Sequence, residues 1–296
     1  MAKKLLGHYL AGYRVRGTIG HGARSVIYRV EDPKTNEIFA LKHVHRELAK
    51  DKRFMQQVRL EYEICNSLDH PSLRKSYRLI KERRILRVSD IFLLMEFVDG
   101  VTLEQMQIRD VSKFCQICQD VAKGLHIMHE AGFVHSDVKP NNIMLRKDGV
   151  VKIIDFGQSC RNNTVKERIQ GTPDFIAPEQ VKRRALTPRT DIFCLGATLY
   201  WLLTNKHLPT MIPRKTTGMM IERDEIKLPH ELNPAIPLAL SSMTMKCVQK
   251  NPQDRLDNMQ QVIERLELAI RQLERNKDPF ALPTDEQPSD EQPSNA

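Results

Sequence analysis

The sequence contains no long uninterrupted apolar run. Its longest, residues 192–203, is broken by Gly196 and Thr198. A bilayer-crossing helix needs about 20 apolar residues, so this segment reads as a buried helix of a globular core. The opening Met1-Ala2-Lys3-Lys4-Leu5-Leu6-Gly7-His8 lacks the apolar stretch of a secretory leader. Cysteine is sparse, six in 296 residues, which argues against a disulfide-built scaffold and for a reducing compartment. A soluble, cytoplasmic protein is therefore expected. Aromatic residues make up 6%, with a single Trp, too few to favour a surface that stacks nucleic-acid bases.

What is present suits a folded chain. Hydrophobic residues account for 41% and charged residues for 28%, enough apolar material for one large domain or two small ones. The net charge is +9 and uneven. Residues 277–296 hold five acids against Lys277, and they repeat Asp-Glu-Gln-Pro-Ser at 285–289 and 290–294. That composition cannot offset chain entropy by burial, so a disordered acidic tail is expected. The remaining body is strongly basic, which suits phosphates, anionic surfaces or acidic proteins alike.

Patterning divides the body in two. Residues 13–19, 25–30 and 38–44 read as strands, with a turn at Asp32-Pro33-Lys34-Thr35-Asn36. Residues 53–68 carry helical spacing that stops before His70-Pro71, and 75–80 and 91–98 read as further strands. Helices are expected over 111–129, 191–203, 238–248 and 259–274, the last capped by Asp257 or Asn258. A strand-rich front and a helical rear predict an α+β protein of two lobes.

Gly20-His21-Gly22-Ala23-Arg24-Ser25-Val26-Ile27 lies between two strands. A dinucleotide fingerprint would open a helix, and the P-loop ending Gly-Lys-Ser/Thr is absent. A hairpin with bare backbone remains, either a plain turn or a cover for phosphates. Further along come Ala40-Leu41-Lys42, Glu61 on the helix, and His135-Ser136-Asp137-Val138-Lys139-Pro140-Asn141-Asn142. Asp155-Phe156-Gly157 and Gly171-Thr172-Pro173-Asp174-Phe175-Ile176-Ala177-Pro178-Glu179 complete the series. In this order and at these separations the segments resemble the eukaryotic-type protein kinase family, over residues 13–270.

The resemblance implies a two-lobed kinase fold: a small antiparallel β-rich N-lobe with one main helix over 13–98, and a larger, mainly helical C-lobe over 99–276. An N-terminal extension, 1–12, precedes them. It also implies an ATP- and Mg²⁺-dependent serine/threonine kinase acting on protein substrates with Ser or Thr acceptors. Gly20, Gly22 and Ser25 would lie over the nucleotide phosphates, and Lys42, held by Glu61, would contact them. Ile27, Ala40 and Met144 would sandwich the adenine ring. Met95 matches the gatekeeper, and Glu96 and Val98 the hinge. Asn142 and Asp155 supply hard oxygen ligands suited to Mg²⁺. Asp137 would orient the acceptor hydroxyl and take its proton, while Lys139 and Thr172 match the serine/threonine-specific loop. Cys65, His135 and Phe156 match a packed column between the lobes, Glu179 would pair with Arg255, and Asp191 would brace the catalytic loop.

Three departures stand out. Ser25 replaces the third glycine and Ile27 the usual valine. Ser136 replaces the arginine that grips an activation-loop phosphate, and that segment offers Ser159 and Thr164 as acceptors with Arg161, Lys166 and Arg168 as bases. Finally, residues 74–87 hold seven bases, including Arg74, read as a solvated face or a docking patch for an acidic partner. No nucleic-acid recognition motif accompanies them. Cys115 and Cys118 read as core cysteines, lacking a second pair for zinc. His43 and His45 lack acidic partners at ligand spacing and read as surface histidines. A pseudokinase and a small-molecule phosphotransferase are the alternatives. The first is disfavoured by intact Lys42, Asp137, Asn142 and Asp155, the second by Lys139 and the segment 171–179.

Overall fold

The computed structural model describes residues 7–22, 24–46, 51–85, 87–106, 110–209 and 226–277. In chain order the front holds β1 (Tyr9–Leu10), β2 (Tyr13–His21), β3 (Ser25–Glu31), β4 (Ile38–His45), α1 (Lys52–Ser67), β5 (Ser76–Arg84) and β6 (Arg87–Glu96). These six strands form one antiparallel sheet in the order β1-β2-β3-β4-β6-β5. Tyr9 and Leu10, within the segment expected as an N-terminal extension, form a strand, with Leu10 opposite Tyr13.

Alternation decides which face each side chain takes. Ala40, Val44, Ile91, Leu93 and Met95 point to the side where α1 supplies Met55 and Val58. Leu41, Phe92 and Leu94 point the other way, onto Tyr13, Val15, Tyr28 and Val30. The ladder sets Lys42 opposite Leu93, so Lys42 shares the α1 side. Lys81, Arg83 and Arg84, past the end of the strand expected at 75–80, extend a hairpin. Arg84 pairs with Arg87, and the turn passes through Ile85 at φ 58°.

The rear is built on β7 (Gly100–Thr102), α2 (Val111–Glu130), β8 (Phe133–Val134), β9 (Ile143–Arg146), β10 (Val151–Ile153) and β11 (Cys160–Arg161). It continues with α3 (Pro178–Val181), α4 (Pro188–Thr204), α5 (Pro229–Leu232), α6 (Leu238–Cys247) and α7 (Met259–Lys277). Asp110 caps α2 by accepting from the N–H groups of Ser112 and Lys113. Asn258, of the two candidates, caps α7 by accepting from the N–H of Gln261 at 3.0 Å. The main core joins Leu125 and Met128 of α2, Leu195 and Leu199 of α4, and Val262 and Leu266 of α7. Cys115 and Cys118 lie in it, as expected, and burial pushes the Cys115 thiol up to about 12. Helix α7 runs to Lys277; the rest of the expected tail, 278–296, lies outside the described residues.

This arrangement is the expected α+β plan of two lobes: an antiparallel sheet with α1 in front, a mainly helical lobe behind.

Candidate active site

The facing edges of the lobes bring distant charged residues together. Lys42 leaves β4 with its Nζ 2.7 Å from Glu61 Oε2 on α1 and 3.4 Å from Asp155 Oδ1. Burial works against the Lys42 charge, but Asp155 and Glu61 outweigh it and raise the pKa. The Lys42 ammonium holds the Asp155 carboxyl well below the usual carboxylate range. Asp155 Oδ1 also accepts from the Gly157 N–H at 3.0 Å. A Cβ on Gly157 would stand 3.1 Å from that oxygen and 3.4 Å from Lys42 Nζ, so glycine there keeps the charged atoms in reach of one another.

A second cation, which the sequence placed in a solvated basic run, belongs to this group. Arg74 is 3% exposed. Its Nη2 donates to Glu61 Oε1 at 2.9 Å and its Nε to the Ile154 carbonyl at 2.8 Å. Its Nη1 reaches Ser76 Oγ at 3.1 Å, and the guanidinium lies over the Phe156 ring, 5.6 Å from the centroid. One planar fork therefore ties α1 to the backbone immediately before Asp155. The available signal was parity: Arg74 and Ser76 share the inward side of the entry to β5. The other six bases of residues 74–87 are exposed.

Across the cleft, Asp137 lies in the loop between β8 and β9. Its Oδ1 accepts from Thr172 Oγ1 at 3.1 Å, and its Oδ2 lies 3.2 Å from Lys139 Nζ. Lys139 also donates to Thr172 Oγ1 at 2.7 Å. Asn142 directs its amide nitrogen at the Asp137 carbonyl, 2.8 Å, and at Oδ2, 3.2 Å. The amide oxygen of Asn142 is then the atom of this side chain able to hold a cation.

Loop geometry depends on Asp191, the first-turn acid of α4. Its carboxylate accepts from the N–H groups of His135 at 2.8 Å and Ser136 at 2.7 Å, and from His129 Nε2 at 2.8 Å. Burial opposes its charge, yet these donors keep its pKa below the ordinary value. They hold Ser136 at φ 59°, a left-handed conformation that costs a residue with a Cβ and persists only when its surroundings enforce it. His135 packs edge-on against Phe156, centroids 5.4 Å apart, and Cys65 belongs to the same core. Glu179 and Arg255 form a buried two-bonded pair at 2.8 and 2.9 Å.

Ser136 does not leave its surroundings unfastened. Lys166 donates to Ser136 Oγ at 2.8 Å and to the Gln158 carbonyl, while Ser136 Oγ donates to that carbonyl at 2.7 Å. Burial pushes the Lys166 pKa down. Ser159, expected as an acceptor for phosphate, is instead 4% exposed, its Oγ directed at the His135 carbonyl.

The residues expected on the nucleotide side lie on neighbouring strands and the loops that join them. Ile27 and Lys42 are cross-strand neighbours on β3 and β4, and Ala40 pairs with Met95. Gly20 pairs with Ile27, and the Gly22 N–H closes the hairpin on the Ser25 carbonyl at 2.8 Å. Val98 follows β6 and is buried, and Met144 lies on β9. Glu96 sends its carboxylate to Lys152, 2.9 Å, and to the Lys75 N–H, 3.0 Å.

Residues 13–266 match the family described as protein kinase domain, and the chain belongs to that family. A probable serine/threonine-protein kinase of Clostridium acetobutylicum is 27% identical over 86% of this chain and 39% of its own length. Serine/threonine-protein kinase PknB of Mycobacterium leprae is 28% identical over 84% of this chain and 41% of its own. PrkC of Bacillus subtilis is 26% identical over 96% and 44%. The chain thus spans less than half the length of these curated relatives. The PknI kinase domain of Mycobacterium tuberculosis has the same fold, with a TM-score of 0.68 at 21% identity, over 89% of this chain and 98% of that one.

Proposed function

We propose that this chain is an ATP-dependent protein serine/threonine kinase, transferring the γ-phosphoryl group of MgATP to Ser or Thr hydroxyls of protein substrates. One observation carries the reading: Lys42, Glu61 and Asp155 converge on one side of the cleft, and Asp137, Lys139, Asn142 and Thr172 on the other. Phosphoryl transfer needs positioning and charge more than covalent help. Lys42, fixed by Glu61, presents a point charge to the nucleotide phosphates. The β2–β3 hairpin, with Gly20, Gly22 and Ser25, covers them from above. Ile27, Ala40, Met95 and Met144 hold the base, and the backbone at Glu96 and Val98 offers it hydrogen bonds.

Asp155 and Asn142 offer two hard oxygens, one from each side of the cleft, a donor set that fits Mg²⁺; when bound, the ion would supply charge neutralisation to the phosphates. Asp137 aligns the acceptor hydroxyl and receives its proton, with Thr172 and Lys139 holding the carboxylate in place. Lys139 also faces the transferred group. Five exposed bases along the β5–β6 hairpin, with Lys75 just before it, support an acidic docking partner. The cytoplasm suits the six cysteines, all free and buried. We place the lobe division between residues 98 and 99.

The test separates chemistry from binding. Asp137→Asn keeps nucleotide affinity by calorimetry but loses turnover by about 10²–10⁴-fold, the usual contribution of a positioned base. Asp155→Asn loses Mg²⁺-dependent nucleotide binding as well. Wild-type transfer by Asp137→Asn would overturn the proposal.

A further inference from the structure

On the opposite face of the front sheet from Lys42, three side chains converge that the active site does not use. His43 and His45 alternate on β4, and Asp90 stands directly opposite His45 on β6. The acidic partner that local spacing did not reveal therefore comes across the ladder. His43 Nε2 and His45 Nδ1 both lie 2.7 Å from Asp90 Oδ1. All three donor atoms fall within 4.8 Å of one another, the one such group among the described residues.

We infer that His43, His45 and Asp90 form a binding site for a borderline divalent transition-metal ion, Zn²⁺ in particular, on the outer face of the β4–β6 ladder.

Three features of the trio support it. The first is donor chemistry: two imidazoles and a carboxylate suit Zn²⁺, whereas Mg²⁺ prefers an all-oxygen set such as that of Asn142 and Asp155. The second is rigidity. His45 and Asp90 are direct ladder partners, and the Phe92 ring, partner of His43, stacks on the His43 imidazole at 4.3 Å and 12°. The backbone and one ring plane are thus fixed before any ion arrives. The third is distance. Tetrahedral Zn²⁺ with bonds of about 2.0–2.1 Å sets its ligand atoms roughly 3.3 Å apart, so the three donors need shifts on the order of 1 Å, within reach of side-chain torsions.

Proton accounting is simple. In the ion-free trio His43 Nε2 and His45 Nδ1 each direct an N–H at Asp90 Oδ1. On binding, those same nitrogens turn lone pairs to the metal, and their protons move to His43 Nδ1 and His45 Nε2. Burial works against the charge of Asp90, but bonds from His43 and His45 hold its pKa below the ordinary value, so the carboxylate is ionised at neutral pH. Among the described residues three protein donors converge, and water completes the coordination. Half-exposed His45 leaves the approach open, with 50% of its side chain accessible.

Calorimetric titration of the full chain with ZnSO₄ alone tests this. The expected result is one saturable site of micromolar Kd, with a thermal midpoint that rises as Zn²⁺ exceeds Kd. Co²⁺ in its place should give the visible absorption of a four-coordinate ion. Asp90→Asn, which keeps the side-chain shape, and His45→Ala should each weaken binding at least tenfold, whereas His126→Gln should not. Absence of saturable binding, or equal affinity in Asp90→Asn and His45→Ala, overturns the inference.

Discussion

Two cations share Glu61, and all three side chains are buried or nearly so. Losing one partner of a buried ion group leaves uncompensated charge and costs about 3–5 kcal/mol. Arg74→Leu should therefore lower the urea midpoint markedly and reduce kcat by freeing Glu61 from the strand before Asp155. Arg74→Lys restores the charge but not the fork, so it should recover only part of either. Unchanged stability in Arg74→Leu would mean that Lys42 alone suffices. Residues such as Lys42, Asp137, Asn142 and Asp155 are legible in the sequence because each sits in a short local motif. Arg74 is not, because a run of like charges does not say which side chain turns inward. Asp90 is equally hidden, 45 residues from His45 and adjacent only through strand pairing.

Among elements, the segment between Asp155 and Glu179 is fastened by Lys166 on Ser136 Oγ and the Gln158 carbonyl. Where a relative with arginine would need a phosphate to complete the contact, this chain supplies an ammonium from the segment itself. Phosphatase treatment of the purified protein should accordingly lower the initial transfer rate by less than about threefold. A hundredfold loss would show that a phosphate, not Lys166, orders the segment. Element boundaries follow the same logic as side chains. The β5–β6 hairpin outruns the strand expected at 75–80 because a two-stranded arm satisfies its backbone by pairing, whatever its side chains. No apolar alternation marks Lys81, Glu82, Arg83 and Arg84, so composition alone does not reveal it.

At the scale of the whole molecule, stability should depend on pH in two windows. His135 is buried and its pKa lies below the ordinary value. The unfolded chain takes up that proton near pH 6.5 while the folded chain does not, so stability declines as pH falls below about 6.5. Asp155 and Asp191 have depressed pKa values; their contribution is complete above about pH 4 and is lost as pH falls through the folded values. Urea midpoints measured from pH 8 to 3 should fall gently and then steeply, and a flat profile between pH 7 and 5 would contradict the burial of neutral His135.

The two-lobed plan itself is legible from patterning, since alternation in front and helical spacing behind follow directly from which faces must be buried. The cleft depends on contacts between lobes, and those become visible only when the chain is folded. The most direct measurement joins both levels: incubate the protein with γ-labelled ATP, Mg²⁺ and a generic protein acceptor, then identify the phosphorylated residues by mass spectrometry. Label on serine and threonine, abolished by Asp137→Asn, is the predicted result. No transfer at all, or label chiefly on tyrosine, would contradict the assignment of this cleft to serine/threonine phosphorylation.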